Sequence, residues 1–505
     1  MFSKLIFQLL QSSNYVKINP WVFTLLLICI IVQTIYSQSS AATQKTSEII
    51  PLELNKPVER EIARSEKHVF QITLAENQFA SATIEQLGID VSIIVVGTDD
   101  EAFVLRDSIL KSEGREKIDW TALSAGVYLL EIKTKPNSPT ANGRYRVLLT
   151  DLREATEKDR RLEEARKFHN EAIKFYDKGE YDEALKLAER SLEIRERESG
   201  ADDIDVASSL SSLALVWAAK GEFQKAILLF QRSLNIRQKA FGTYHHDVAR
   251  TLHNLALVNE EIANYDEAIR LYEKAIEIRE KVLGEWSADL ATSLNNLGVV
   301  YLNLADFDKA EQFLRRALEI KEKVLPSIST SIASTLSNLA AIYSEKGDED
   351  KALELFKRAL EIREKALGAN HPNVARTLEY VGNSYRTKGD LRQAEAYYLR
   401  GLEILRNRFG AEHSRIARMI GNMAILYQMQ SDYTRAEPLL RQAVEMMEKT
   451  IGKEHNDYAV AIYNLASFYT DKGDYEQAEP LYRKALEIAE KLFTAPHPDV
   501  IRYLN

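Results

Sequence analysis

The amino-acid sequence predicts a multidomain protein, a small all-β antiparallel sandwich followed by an all-α superhelical solenoid. Three observations predict this: a 42-residue repeat over the later part of the chain, a period-two hydrophobic pattern before it, and an ordinary composition. Of the 505 residues, 45% are hydrophobic and 28% are charged, which is typical of folded globular proteins. A fixed period indicates stacked units that each pack on their neighbours, and such an array offers an extended surface for binding.

Residues 1–37 are predicted to be a signal peptide or an N-terminal membrane anchor. The apolar run WVFTLLLICIIV begins at Trp21, follows Lys4 and Lys17, and precedes small polar residues. The run is short for a membrane span, which needs about 20 apolar residues, but the stretch before it is long for a signal peptide. We therefore expect export across the cytoplasmic membrane, to a periplasmic, secreted or N-terminally anchored location, with a cytosolic location as the alternative.

Residues 50–151, which follow a polar linker at 38–49, are predicted to form the sandwich. Alternating hydrophobic residues predict strands at 68–74, 79–85, 91–96, 126–132 and 145–149. About eight short strands in about 100 residues favour an antiparallel sandwich. Segments 86–91, 124–131 and 143–147 resemble the bacterial pre-peptidase C-terminal domain, a β-sandwich common in exported proteins. A carbohydrate or surface ligand of this domain is a weaker alternative function.

Residues 159–505 are predicted to form about eight helical hairpins. Within each unit, apolar residues recur at spacings of three and four, which indicates two amphipathic helices. Small residues mark the turn between them, and glycine marks the end of the second helix. The sequence stops in the middle of a first helix, so the array is expected to continue. One phased position is alanine throughout: Ala184, Ala226, Ala268, Ala310, Ala352, Ala394, Ala436 and Ala478.

Several segments resemble tetratricopeptide repeats of the kinesin-light-chain type. They are Asn295–Gly298, Tyr301, Ala310, Arg316–Lys323 and Gly368–Pro372. The resemblance implies a scaffold whose concave groove binds a peptide or helix of another protein. A sandwich followed by such an array also resembles the front half of caspase-like CHAT-domain proteins. This implies an alternative function, the regulatory or sensor half of a larger peptidase whose catalytic domain is absent from this chain.

Asparagines that recur at one position of the 42-residue repeat, on the first helix of each hairpin, are the principal candidate binding residues. In the resembled family, the matching asparagine hydrogen-bonds the backbone of a ligand, and a carboxamide suits this because it both donates and accepts. The alternative is that each amide satisfies a neighbouring helix. Tyr380 and Ser212 interrupt the series. The asparagine ladder is Asn254, Asn296, Asn338, Asn422 and Asn464.

Three arginines share a position four residues before the asparagine ladder. Arg250, Arg376 and Arg418 lie one helical turn from it and are predicted to give the groove a basic streak for an acidic peptide. Equally, they are compatible with a solvated face, because glutamates such as Glu379 lie nearby.

The sequence argues against several other kinds of function. The net charge of −9 gives no support for nucleic-acid binding. Cys29 is the only cysteine, and five of the nine histidines are spaced one per repeat, so no metal site is expected and loop capping is the predicted role of those histidines. Phosphate-loop, serine-nucleophile and HExxH motifs are missing from the sequence. We expect no catalytic residues, no cofactor and a non-enzymatic protein.

Overall fold

The computed structural model describes residues 49–492 except 64–65, 88, 90, 98–101, 108–112 and 135–141. The predicted signal or anchor segment and the array beyond residue 492 lie outside the described residues. Two compact units are separated between Arg160 and Arg161. Among the described residues, no helix combines the length and the apolar composition that a membrane crossing requires.

Nine strands form two sheets in the first unit. They are β1 (Ile49–Pro51), β2 (Val58–Ala63), β3 (Lys67–Leu74), β4 (Gln78–Leu87), β5 (Val91–Val96), β6 (Ala102–Asp107), β7 (Glu113–Thr121), β8 (Gly126–Thr134) and β9 (Asn142–Glu154). One sheet has the order β1-β3-β8-β5-β6, and the other has the order β2-β9-β4-β7.

The sandwich core comes from alternate residues of both sheets, as the period-two pattern predicts. Ile93 of β5 and Ile132 of β8 belong to the same buried cluster as Ile84 of β4 and Trp120 of β7. One pairing differs from the antiparallel prediction, because β1 runs parallel to β3, with Ile49 opposite Val69. This three-residue edge strand is too short to show an alternating pattern in the sequence.

Sixteen helices follow as eight hairpins in the described part of the chain. The first helices are α1 (Glu157–Lys178), α3 (Ile204–Ala219), α5 (His246–Glu261), α7 (Ala288–Asn303), α9 (Thr330–Glu345), α11 (Pro372–Thr387), α13 (Ser414–Met429) and α15 (Asn456–Asp471). The second helices are α2 (Tyr181–Ser199), α4 (Phe223–Phe241), α6 (Tyr265–Leu283), α8 (Phe307–Val324), α10 (Glu349–Leu367), α12 (Leu391–Phe409), α14 (Tyr433–Ile451) and α16 (Tyr475–Leu492).

Small residues set the spacing and the turns of these hairpins. The phased alanine in the first turn of every second helix is buried, as Ala310 shows with no exposed surface, so the paired helices can approach closely. The turn inside a hairpin needs one residue in the left-handed conformation, with a positive φ. Glycine supplies it at Gly347, whereas Ala305 adopts the same conformation with a φ of 58°.

The first helices line the inner side of the array. First helices of successive hairpins contact one another directly at α5/α7, α7/α9, α11/α13 and α13/α15. Among the described residues, second helices of successive hairpins make fewer direct contacts with one another. In a curved stack, the elements that lie closer together are on the inside of the curve. We call the solvent-accessible surface of the first helices the inner face.

Candidate functional site

The asparagine ladder lies on the inner face, one residue per first helix. Asn254 is on α5, Asn296 on α7, Asn338 on α9, Asn422 on α13 and Asn464 on α15, and all five side chains are half-buried. Their common phase on equivalent helices brings the amides into one row along the array. Such a row presents donors and acceptors to a molecule lying along the face.

Some of these amides also bond to neighbouring hairpins. Asn338 Nδ2 donates to Asn295 Oδ1 at 3.4 Å, and Asn422 Nδ2 donates to Glu379 Oε1 at 2.9 Å. Asn296 Oδ1 accepts from the Asn295 amide at 3.1 Å. Asn254 and Asn464 make no side-chain hydrogen bond to the residues that the structure describes. The neighbour-satisfying role therefore holds for part of the ladder, and the assignment of the ladder to ligand binding stays a prediction.

The three phased arginines have different surroundings. Arg250 pairs with Asp247 on its own helix at 2.5 Å. Arg418 donates to both carboxylate oxygens of Glu379 in the preceding hairpin, at 2.9 and 3.1 Å. Arg376 is exposed and has no ion pair with any described residue. Of the three guanidinium groups, that of Arg376 is the one left without a carboxylate in the described part of the chain.

A row of buried cations beneath the inner face was not anticipated from the sequence. Each cation lies on a second helix and bonds to a buried hydroxyl fourteen residues later, on the first helix of the next hairpin. We call these pairs the cation row. They are Arg195 with Ser209, Arg237 with Thr251, Arg279 with Ser293, Lys321 with Thr335 and Arg363 with Thr377.

Backbone oxygens and hydroxyls hold these cations in place. Arg279 Nη1 donates to Ser293 Oγ at 2.5 Å and to the Asp289 carbonyl at 2.6 Å. Lys321 Nζ donates to Thr335 Oγ1 at 2.8 Å. Among described residues, none of Arg237, Arg279, Lys321 and Arg363 has an ion pair with a carboxylate. Their positive charge is therefore solvated by neutral dipoles instead of being neutralised.

Burial lowers the pKa of these groups, because removal from water disfavours the charged form. Desolvation, assisted by Arg376, lowers the pKa of Arg363 to about 10. Desolvation lowers that of Lys321 to about 8. Both side chains are therefore cationic at neutral pH, and the positive charge of Arg363 adds to that of Arg376 above it.

At the last two described junctions between hairpins, apolar residues replace the cation and the hydroxyl. Leu405 of α12 occupies the place of the cation and Met419 that of the hydroxyl between the sixth and seventh hairpins. Met447 and Ala461 take these places between the seventh and eighth. All four residues are buried. The 42-residue phase of the cations and the fixed step of fourteen were both readable in the sequence, but a charged residue on an amphipathic helix is normally expected to face solvent.

The phased histidines cap helices. Nδ1 of His245, His371, His413 and His455 accepts a hydrogen bond from the backbone N–H two residues later, at 3.0–3.2 Å. The predicted capping role is confirmed for these four, while His497 lies outside the described residues. Burial, assisted by Arg279, lowers the pKa of His253 to about 3, and its Nδ1 lies 3.0 Å from Ser293 Oγ. No cluster of three or more metal-binding side chains occurs within the described ranges.

Comparisons with known proteins identify the repeat. A family model described as Tetratricopeptide repeat matches residues 175–239, 218–281, 247–323, 331–407, 415–491 and 457–505. The structure of BtubC (BKLC) from P. vanneervenii is 22% identical, with a TM-score of 0.36 over 48% of this chain and 93% of that chain. A putative kinesin light chain of Podosopora anserina is 23% identical, with a TM-score of 0.34 over 41% and 97%.

A third solved structure is the Rap protein complexed with Competence and Sporulation Factor. It is 17% identical, with a TM-score of 0.42 over 65% of this chain and 99% of that chain. No curated protein matches this chain.

Proposed function

The chain belongs to the tetratricopeptide repeat family, and from that premise we propose that its inner face binds a peptide or helical segment of another protein. An array of this family is a protein-interaction scaffold, and the fold is typically non-enzymatic. The observation that carries the proposal is the row of five half-buried amides on equivalent first helices. Because a carboxamide both donates and accepts, it can bind the backbone N–H and C=O of a ligand whatever the side chains are.

Binding through the ladder is tested by removing two adjacent amides. Peptides are first selected from a random dodecapeptide library with the full chain, and their affinities are measured by isothermal calorimetry. In the variant Asn296→Ala/Asn338→Ala, we expect affinity to fall about tenfold or more, since each lost hydrogen bond contributes about 0.5–1.5 kcal/mol. The matched control is Asn235→Ala/Asn407→Ala, which removes two exposed amides from second helices. Unchanged affinity in a variant with intact helical circular dichroism would remove the ladder from the binding site.

We also propose that the bound segment is acidic near the middle of the array. Arg376 offers a guanidinium without a described carboxylate partner, and the buried charge of Arg363 lies close enough to affect it electrostatically. Arg376→Gln should weaken binding of a glutamate-containing peptide more than that of its glutamine analogue, and the difference should shrink at high salt. Arg250→Gln is the matched control, because Asp247 already neutralises Arg250.

Export remains part of the proposal and rests on the apolar run within residues 1–37. Expression of the full chain in a bacterial host, followed by fractionation and N-terminal sequencing, tests it. A chain found intact in the cytoplasm would contradict export. The regulatory half of a larger peptidase stays a prediction.

A further inference from the structure

A pocket opens on the inner face between the seventh and eighth hairpins. It lies among α13, α14 and α15 and has a volume of about 130 Å³. Gly421, Ala443 and Ala461 leave the space, and Leu440, Met447 and Val460 supply larger apolar walls. Its lining also includes Asn422 and Asn464, two members of the asparagine ladder.

The pocket exists because this junction lacks a side chain that bridges other junctions. At three other described junctions, the residue just before the ladder position bonds to the next hairpin; these residues are His253, Asn295 and Glu379. Asn295 accepts from Thr335 Oγ1 at 2.9 Å, and Glu379 accepts from Arg418 and Asn422. The seventh hairpin has Gly421 at this position, so no side chain crosses from it to the eighth hairpin.

A second difference from the other junctions, a smaller side chain on α15, also enlarges the pocket. Ala461 stands where the cation-row junctions carry a serine or threonine hydroxyl and where the preceding hairpin carries Met419. A Cβ built on Gly421 would meet only the Ala443 Cβ, at 3.9 Å. The space is therefore open to a foreign side chain and is not filled by the protein itself.

The size and the apolar walls of the pocket favour an aliphatic side chain as its occupant. A cavity of roughly 150 Å³ has room for benzene, so a pocket of about 130 Å³ with apolar walls has room for one branched aliphatic side chain. Arg418 and Asp457 contribute one charge of each sign to the lining, so the lining itself has no net charge that would favour a charged occupant. Asn464 and the Oδ1 atom of Asn422 have no hydrogen-bond partner among the described residues and remain available to a ligand backbone.

We propose that this pocket is a specificity site that takes a leucine, isoleucine or valine side chain of the partner peptide while Asn422 and Asn464 hold the backbone on either side. The proposal rests on peptide binding by the inner face and adds to it the chemical class and the place of one anchor residue. Burial of one such side chain corresponds to about tenfold or more in affinity.

The test fills the pocket with residues that the chain already uses at equivalent positions. Gly421→Asn copies Asn295, and Ala461→Met copies Met419, so both changes are compatible with the backbone of the repeat. Glu490→Met, on the exposed side of α16, is the control for added apolar surface in the eighth hairpin. Peptides selected from the random dodecapeptide library with the full chain are measured against all four proteins, together with analogues whose aliphatic residue is alanine.

We expect the selected peptides to share an aliphatic residue and to lose about tenfold or more in affinity in both filled variants, but not in Glu490→Met. Replacing that residue by alanine should weaken binding to the unmodified chain and have little effect in the filled variants. Peptides that bind through the ladder without an aliphatic preference, and are unaffected by filling, would overturn the pocket but leave groove binding intact. Failure to select any peptide that loses affinity in either Asn296→Ala/Asn338→Ala or Asn422→Ala/Asn464→Ala would overturn both proposals. Circular dichroism verifies the fold of each variant.

Discussion

The junctions between the described hairpins are of two kinds: five have a buried cation bonded to a hydroxyl, and two have a pair of apolar side chains. Arg363 bonds to Thr377 between the fifth and sixth hairpins, whereas one repeat later Leu405 and Met419 occupy the same two places. A hydroxyl accompanies the cation at each of the described junctions that have one, because a buried cation without an acceptor is unfavourable. The same backbone arrangement therefore accommodates either a cation with a hydroxyl or two apolar side chains.

The difference also divides the inner face. The cation row places buried positive charge beneath the first six hairpins, which under the proposed function favours acidic ligand groups. The apolar junctions carry no such charge, and at the last of them the small residues Gly421 and Ala461 leave a pocket. The proposals therefore assign different kinds of ligand side chain to the two regions, although the repeat period does not change between them.

The largest effect is expected from a cation placed in an apolar junction. Leu405→Arg buries a charge opposite Met419, which has no hydroxyl to accept from it, and should lower the free energy of unfolding by about 3–5 kcal/mol. Adding Met419→Thr recreates the pair seen at Arg363 and should recover part of that loss. Urea unfolding monitored by circular dichroism measures both, and Leu399→Arg on the exposed face of α12 is the control. Equal stability of the single and double variants would show that the two positions are not coupled.

A smaller change in the free energy of unfolding, this time an increase, is expected when a buried cation is removed. The folded chain lowers the pKa of Lys321 to about 8 from its ordinary value of 10.5. Between these pH values the unfolded chain keeps a proton that the folded chain has released, so this residue makes stability rise with pH across that window.

Lys321→Met should therefore stabilise the array by about 1–3 kcal/mol at pH 7 and abolish this rise, since Met447 shows that methionine fits the position. The single hydroxyl hydrogen of Thr335 still has Asn295 Oδ1 and the Ser331 carbonyl as acceptors, so this donor stays satisfied. Urea unfolding at several pH values between 7 and 10.5 is the measurement. A variant with the same pH dependence as the unmodified chain would assign the titration to another group.

Two helical glycines, Gly382 and Gly421, differ in whether neighbouring atoms fill the space that a Cβ would occupy. A Cβ on Gly382 would lie 2.5 Å from Tyr398 Cε1, and the Tyr398 ring is buried. We expect Gly382→Ala to lower the unfolding free energy by about 1–3 kcal/mol through overpacking. Thermal unfolding monitored by calorimetry measures the change, and a stabilised variant would show that the ring can move.

The smallest effect is expected at Gly421. Alanine there has free space and a better helix propensity, so Gly421→Ala should stabilise the chain by about 0.5–1 kcal/mol. The same calorimetric measurement applies. A destabilised variant would contradict the presence of an open pocket beside this residue.

Particular residues show how far the sequence could predict this structure. The buried alanines, exemplified by Ala310, and the capping histidines, exemplified by His413, follow from a local period and were anticipated. The ladder position was also readable, because one residue per 42 on equivalent helices must form a row. The parallel edge strand β1 was missed, since three residues carry no measurable alternation.

The sequence alone determined the architecture: local hydrophobic periods specify helices and strands, and an unchanged period makes every unit stack in the same way. The tertiary structure decided which polar groups meet. The pair of Arg418 with Glu379 joins residues of successive hairpins, and the pocket needs Gly421, Ala443 and Ala461 from three helices. Such contacts depend on the depth and angle at which hairpins pack, and these are collective properties of many side chains that no single residue position encodes.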